Sequence, residues 1–376
     1  MGRALRLFIL AGEASGDRIA ADLVRRLRQR LPLKLSGIGG DELVAEGLPS
    51  LYPMADLSVM GLTDVVKRLP LLLWRVEQTA RAVLREKPDL VVLVDAQEFS
   101  ALVARRLRGA GYKRPILLYV SPSVWARHPE RAARIRPLFD EVLAVLPFEP
   151  AAMRRLGGPP TSYVGHPSLG EIVPGAVREK GLVALLPGSR EGELRRHLPM
   201  FRLLVERLAR RPDIEGFFLP TLPGLAAALR EETGAWAAPV RVVADRSERR
   251  ALQERTTLAV CCAGTATLEL AMGGIPMAVV YVMDRFQARK YAEFGRPAVS
   301  LPNIILGDRS VPELVLDKPD APAMIAEVQD LLDNGQKRRL QVEAFARLQR
   351  LMQEGAPEAP REDPADRVLA HFDPGA

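Results

Sequence analysis

Apolar positions along the chain follow two alternating rhythms. Short, mostly apolar runs occur at Leu5–Leu10, at LVVLV just before Asp95, and at Ile116–Val120, Phe139–Val145, Leu182–Leu186, Phe217–Leu219, Val240–Val243, Leu258–Cys262 and Met277–Tyr281. Runs this short, bounded by glycine, proline or acid, read as strands buried on both faces. Between them apolar residues return every three or four positions, as in Ile19, Leu23 and Leu27, and in Leu72, Leu73, Val76, Ala80, Val83 and Leu84. That spacing predicts helices with one core-facing stripe. Leu268, Ala271 and Met272 repeat it in a shorter helix, stopped by Gly273-Gly274 and Pro276, and 321–332 and 336–352 read as closing helices. Strands alternating with helices in both halves predict an α/β protein of two Rossmann-like, doubly wound domains. GGPPTSYVGHPSLGEIVPG, rich in proline and glycine, reads as the linker between them. The expected division is residues 1–166, 167–345, and a C-terminal helix with a loose tail over 346–376.

Where a strand meets a helix through glycine, backbone N–H groups and the helix's positive end converge on one point, which suits a phosphate. The chain has several such junctions. AGEASGD carries Gly12, Glu13, Ser15 and Gly16, with Ser15 or Asp17 able to cap the following helix. PGSR carries Gly188, Ser189 and Arg190; the two amides can face phosphate oxygens, and the guanidinium fork matches a diphosphate. GTATLE carries Gly264, Thr265 and Glu269. Glu269 sits one turn into a helix of small and apolar neighbours. Its carboxylate suits the two hydroxyls of a ribose, the alternative being a solvated helix acid. Asp95 ends a buried strand, where α/β proteins bind ligands. It is either a general base held at a useful pKa by burial or a cap for the next helix. Asn303, between a proline and an apolar run, has an amide able to hold a substrate hydroxyl. Met60, Leu62, Val65, Val66 and Leu69 surround Lys67 and Arg68, a pattern that fits either core or a lipid interface.

Composition narrows the partners. The 376 residues are 48% hydrophobic, enough for two cores, yet no apolar run approaches the ~20 residues needed to cross a bilayer. With no signal-peptide pattern at the start, a cytosolic protein is expected. The net charge of +7 favours an anionic partner: nucleic acid, a membrane surface or a phosphorylated substrate. The excess is spread out and no basic run interleaves with aromatics, which makes nucleic acid the weakest of these. Cys261 and Cys262 are adjacent in a predicted strand and read as small core residues; the four histidines lack metal-ligand spacing.

Taken together, AGEASGD at 11–17, Val59-Met60-Gly61, VDA at 94–96, YVSPSVWA at 119–126 and LPFE at 146–149 resemble the lipid-A-disaccharide synthases, GT-B glycosyltransferases of family 19. GH at 165–166, LLPGSR at 185–190, GTATLE at 264–269 and SLPN at 300–303 continue the likeness in order. The resemblance spans roughly residues 5 to 350 and implies two domains facing across a cleft. It implies an inverting transfer from UDP-2,3-diacylglucosamine to 2,3-diacylglucosamine 1-phosphate, giving the β-1,6 disaccharide and UDP. By resemblance Asp95 is the base. Gly188, Ser189 and Arg190 carry the diphosphate with Gly264 and Thr265, Glu269 holds the ribose, and Gly12, Glu13, Ser15, Gly16 and Asn303 line the substrate cleft. It further implies no cofactor and no metal, peripheral attachment to the inner face of the cytoplasmic membrane through Met60–Leu69, and a homodimer with exchanged C-terminal segments.

Three departures stand out: Gln97-Glu98 after VDA, Arg127-His128-Pro129 after YVSPSVWA, and Ala263 where the family has serine. Two other GT-B enzymes are the alternatives. A lipid-linked N-acetylglucosamine transferase shares the Glu269 helix but is not expected to carry AGEASGD or YVSPSVWA. A UDP-sugar 2-epimerase needs several acid–base groups near the sugar, and this chain offers chiefly Asp95. A non-enzymatic membrane binder would have no use for PGSR and GTATLE.

Overall fold

The computed structural model describes residues 3–57, 62–126, 128–166 and 180–373, with 62–67 described by backbone alone. The chain divides into two compact units. Met1–Pro167 with Met352–Ala376 forms one, and Ser168–Leu351 the other.

The first unit winds through β1 (Leu5–Ala11), α1 (Ala14–Arg28), β2 (Leu33–Ile38), α2 (Asp41–Ala45), α3 (Leu62–Glu86) and β3 (Leu90–Val94). It continues through α4 (Gln97–Gly109), β4 (Ile116–Tyr119), α5 (Glu130–Ile135), β5 (Glu141–Ala144), α6 (Glu149–Arg155) and β6 (Thr161–Tyr163). Its sheet has the order β2-β1-β3-β4-β5-β6, and each of these pairs is parallel. β1 pairs with β2 on one side and β3 on the other, so the winding reverses between β1 and β3. In an open α/β sheet that reversal leaves a crevice at the carboxyl ends of the two strands. β3 is all aliphatic and fully buried, as a central strand covered on both faces must be.

The second unit runs β7 (Gly181–Leu186), α7 (Glu191–Leu208), β8 (Ile214–Pro220), α8 (Ala226–Gly234), β9 (Val240–Val243), α9 (Arg246–Gln253) and β10 (Thr256–Cys261). Then come α10 (Thr265–Met272), β11 (Met277–Val282), α11 (Arg285–Glu293), α12 (Leu301–Leu306), β12 (Glu313–Leu316) and α13 (Ala321–Asp333). Its parallel sheet is ordered β12-β11-β10-β7-β8-β9, the dinucleotide-binding arrangement, and reverses between β7 and β10. Cys261 and Cys262 are buried here as free thiols, and Cys262 Sγ lies 3.4 Å from His197 Nδ1.

α14 (Gly335–Glu354) leads out of the second unit into the short hairpin β13 (Gly355–Ala356) and β14 (Ala359–Pro360), and the chain ends in α15 (Pro364–Leu369). This overturns the expected loose tail. Ala365 and Val368 are fully buried, and Asp363 and Asp366 pair with Arg26 of α1 and with Arg30 in the turn after it. Glu141 of β5 accepts from Arg367 and His371, at 2.9 and 2.7 Å. Burial alone would raise the Glu141 pKa, but its bonds to His371 and Ser162 and the Arg367 charge hold it below the usual range.

Two further expectations change. The predicted linker contains β6, whose Tyr163 is fully buried and donates its hydroxyl to the Met352 carbonyl at 2.5 Å. Leu73, placed among the core-facing residues of α3, is exposed with Leu69 and Trp74, while Val76, Ala80 and Val83 are buried. Spacings of seven and four put 69 and 73 on the same face as 76 and 80, so this stripe is buried towards the C-terminal end of the helix and exposed before it.

Candidate active site

Strand ends place the candidate residues at two crevices, one in each unit. In the first, the turn after β1 meets the turn after β3. A Cβ on Gly12 would lie 2.4 Å from Ala96 Cβ, so only glycine lets the two turns touch. A Cβ on Gly16 would meet Asp95 Cβ and the Val94 carbonyl at 3.4 Å each. Asp95 and Ala96 both adopt left-handed backbone, at φ +57° and +42°, and Val120 after β4 does so at +77°. Such conformations cost free energy in residues with side chains, and most in a β-branched valine. Three of them at neighbouring strand ends form a strained rim around Asp95. The rim is pinned by bonds from Asp95 N–H to the Tyr119 carbonyl at 2.8 Å, from Val120 N–H to the Leu143 carbonyl at 2.9 Å, and from Ser100 Oγ to the Asp95 carbonyl at 2.9 Å.

Burial pushes the Asp95 carboxyl up from its ordinary value, against a lowering bond from the Ala96 amide. The Glu13 carboxyl is raised too, first by lost hydration and then by the charge of Asp95. A carboxylate held partly out of water with a raised pKa is a better proton acceptor. The helix-cap reading of Asp95 does not hold: α4 has no side-chain cap bond at its start. Ser15 is exposed on the first turn of α1. Asp17, expected to cap its own helix, caps another instead. Its carboxylate accepts from the Gly40, Glu42 and Leu43 amides at 2.8, 2.9 and 3.4 Å, where α2 begins.

YVSPSVWA and LPFE meet beside this rim. Trp125 Nε1 donates to Glu149 at 3.2 Å, and Trp125 stacks edge-on to Phe148 with centroids 5.0 Å apart. Glu149 also accepts from the Val145 and Leu146 amides, at 3.2 and 3.0 Å. Burial pushes its pKa up to about 7 despite those three donors. Gln97 Nε2 reaches the Ser121 carbonyl at 3.2 Å, so one departure from the family pattern ties the Asp95 turn to YVSPSVWA. Arg127 lies outside the described residues.

In the second unit the reversal between β7 and β10 gathers PGSR and GTATLE. Gly188 and Gly264, at φ +112° and +144°, take turns that residues with side chains rarely adopt. The amides of Ser189 and Arg190 do not stand free. Both donate to Glu193 Oε2, at 3.2 and 3.3 Å, so the Glu193 carboxylate folds back over the start of α7. Arg190 therefore extends as an arm with an 83% exposed side chain, one nitrogen 3.2 Å from Glu193. Glu193, missed by sequence reasoning, is legible afterwards as the acid four residues past Ser189. Across the crevice Gly264 caps α10 and Thr265 is its first residue. Glu269 stands half-buried one turn on, with no hydrogen bond or ion pair to its carboxylate among the described residues. His197 is fully buried, donating from Nδ1 to the Glu193 carbonyl and accepting at Nε2 from the Val282 amide, each at 2.8 Å. Burial lowers its pKa, and it serves as a neutral strut between α7 and β11.

Asn303 is a correction. Its amide nitrogen donates to the Val311 carbonyl and Glu313, at 2.8 and 2.9 Å, and its oxygen accepts from the Val311 amide at 2.9 Å. Only 1% exposed, it has nothing left for a substrate hydroxyl. Glu313 also accepts from the Ser300 amide and hydroxyl, which makes SLPN the brace of α12. The Leu301 amide donates to Thr267 at 3.1 Å, so that brace supports α10 and the Gly264 turn. Met60 lies outside the described residues. Leu62, Val65 and Val66 are in the helical backbone of α3, and Leu69 is exposed on it. No helix among the described residues is long and apolar enough to cross a membrane.

The profile of the lipid-A-disaccharide synthetases matches residues 7–362. A lipid-A-disaccharide synthase of Bradyrhizobium diazoefficiens is 38% identical over 97% of this chain and 96% of its own. Among solved structures, a putative UDP-N-acetylglucosamine 2-epimerase of Listeria monocytogenes superposes with a TM-score of 0.61 at 14% identity, covering 96% of this chain and 99% of that one. MurG of Acinetobacter baumannii gives 0.55 at 13% identity, over 98% and 99%. These two share the GT-B fold.

Proposed function

This chain belongs to the lipid-A-disaccharide synthetase family, glycosyltransferases of lipid A biosynthesis, and on that premise we propose that it joins two acylated glucosamines. The donor is UDP-2,3-diacylglucosamine and the acceptor 2,3-diacylglucosamine 1-phosphate. The acceptor's 6-hydroxyl oxygen bonds to the donor's anomeric carbon as that carbon's bond to the diphosphate oxygen breaks. UDP leaves with the electron pair, the hydroxyl proton passes to Asp95, and the anomeric centre inverts.

The observation that carries this reading is the chemistry at the two reversal points. One gathers a guanidinium arm, a glycine-led helix start and an unpartnered carboxylate; the other holds a partly desolvated acid on a strained turn. Arg190 and the α10 amides of Gly264 and Thr265 counter the charge that grows on UDP, and Glu269 takes the ribose hydroxyls. Gly188 and Ser189 form the turn that presents Arg190. Burial keeps the Asp95 pKa up, Glu13 lies close enough to feel its charge, and the Gly12–Gly16 turn shapes the acceptor's side. Exposed Leu69, Leu73 and Trp74 extend the apolar segment Met60–Leu69 and support attachment of α3 to the inner face of the cytoplasmic membrane.

Incubating the chain with donor and acceptor and analysing the products by mass spectrometry tests the reading: disaccharide with UDP supports it, while free epimerised sugar or no turnover sinks it. Asp95→Ala is expected to cut turnover by roughly a thousandfold or more while UDP still binds. Loss of both would make Asp95 a structural residue. Arg190→Ala is expected to weaken UDP binding roughly tenfold or more; unchanged affinity removes it from the site.

A further inference from the structure

α11 differs from the other described α-helices of the second unit in having no buried residue. Phe286 and Phe294 are 71% and 70% exposed, the two most exposed large apolar side chains among the described residues. Phe286, Lys290 and Phe294 are spaced by four, so they share a stripe along the helix and its C-cap. Arg289 lies beside that stripe, and Arg285 and Arg296 flank it. The nearby acids are already engaged. Asp284 caps the helix through the Gln287 amide at 2.8 Å, and Glu293 lies 3.0 and 2.8 Å from Arg289 and Lys290.

A reciprocal capping box and a bond from Gln287 to the Tyr281 hydroxyl at 3.2 Å secure the helix at its start. The fold therefore builds α11 without using its phenylalanines. Leaving two aromatic rings in water is unfavourable, and the excess of cations beside them, Arg285, Arg289, Lys290 and Arg296 against Asp284 and Glu293, selects a partner that is apolar within and negative at its surface. An anionic bilayer surface has that profile: rings enter at the level of the acyl boundary while arginine and lysine stay with the headgroup phosphates.

We propose that α11 is a lipid-contacting element of the second unit, seating Phe286 and Phe294 in an anionic phospholipid surface. This contact is separate from the α3 segment of the first unit and does not depend on the transfer reaction. The test is co-sedimentation of the full chain with vesicles of phosphatidylglycerol mixed with phosphatidylcholine, and with phosphatidylcholine alone. Phe286→Ser/Phe294→Ser should lower the partition coefficient at least roughly tenfold. Arg289→Gln/Lys290→Gln should lower it on the anionic vesicles only, as should about 0.5 M salt with the parent chain. Each pair is measured in the parent and in a Leu69→Ser/Leu73→Ser background, so that α3 cannot mask the effect.

Unchanged sedimentation of the phenylalanine variant in both backgrounds overturns the proposal. So does a shift from dimer to monomer by light scattering, which would make the face a contact with a second copy. Intact vesicle binding with a raised KM for diacylated donor likewise overturns it, because the rings would then serve the donor's own acyl chains.

Discussion

Contact between the β1 and β3 turns makes a double-mutant cycle the sharpest test of how Asp95 is held. In Gly12→Ala the added Cβ would lie 2.4 Å from Ala96 Cβ, against an ordinary carbon–carbon contact of about 3.5–4.0 Å. Forcing the turns apart costs about 1–3 kcal/mol as overpacking. Alanine's smaller unfolded-state entropy returns about 0.4–1 kcal/mol, which leaves a net loss of roughly 1–2 kcal/mol. Ala96→Gly relieves a left-handed residue at φ +42°, worth about 1–2 kcal/mol, and gives back about 0.5–1 kcal/mol as glycine entropy. It should be neutral or slightly stabilising. In the double variant the clash has no second Cβ, so the two changes should couple favourably by about 1–3 kcal/mol. Because the chain has two units and need not unfold in one step, the assay is native-state hydrogen exchange of β1 and α1 amides, which reads the first unit alone. Turnover should follow: depressed in Gly12→Ala and largely recovered in the double variant. Effects that add within about 0.5 kcal/mol would refute the contact.

Glu149 and Asn303 give further expectations. Folding raises the Glu149 pKa from 4.5 to about 7, so the folded state holds a proton that the unfolded chain has released. The stability this acid contributes is therefore complete below about pH 4.5 and lost as the pH rises to about 7. Glu149→Gln should remove the decline, so that parent minus variant changes by about 1–3 kcal/mol between pH 4.5 and 7.5 in urea titrations. A constant difference across that range refutes it. Asn303→Ala strips partners from the Val311 amide and carbonyl and from Glu313, and should destabilise the second unit by about 2–4 kcal/mol. UDP affinity at a permissive temperature should stay within about threefold; lost affinity with unchanged stability would return Asn303 to the substrate.

Sequence pattern was most informative where a short apolar run, a glycine and a helix followed one another. Those junctions are local, and each lies at a strand's carboxyl end, including Asp95 after β3 and Gly264 after β10. Pattern failed where a polar residue's partner is distant in the chain. Asn303 and Asp17 looked like ligand and cap because their true partners, 8–10 and 23–26 residues away, are joined to them only by folding. β12 escaped notice because all four of its residues are only half-buried, and β6 because three residues among prolines give no rhythm. The tail was misjudged for a related reason: its proline and acid content suits a solvated segment, yet its acids answer Arg26 and Arg30, more than 330 positions earlier.

That return of the C-terminus sets an order of events during synthesis. Glu141 emerges early, but the Arg367 and His371 that cover it are made only after the whole of Ser168–Leu351. At about 5–20 residues per second, the ribosome spends on the order of ten to forty seconds on that intervening stretch. Throughout that interval the nascent first unit lacks its closing helix and keeps its β5 acid hydrated. The unit begun first is thus the one finished last, and a release a few dozen residues early would leave it open.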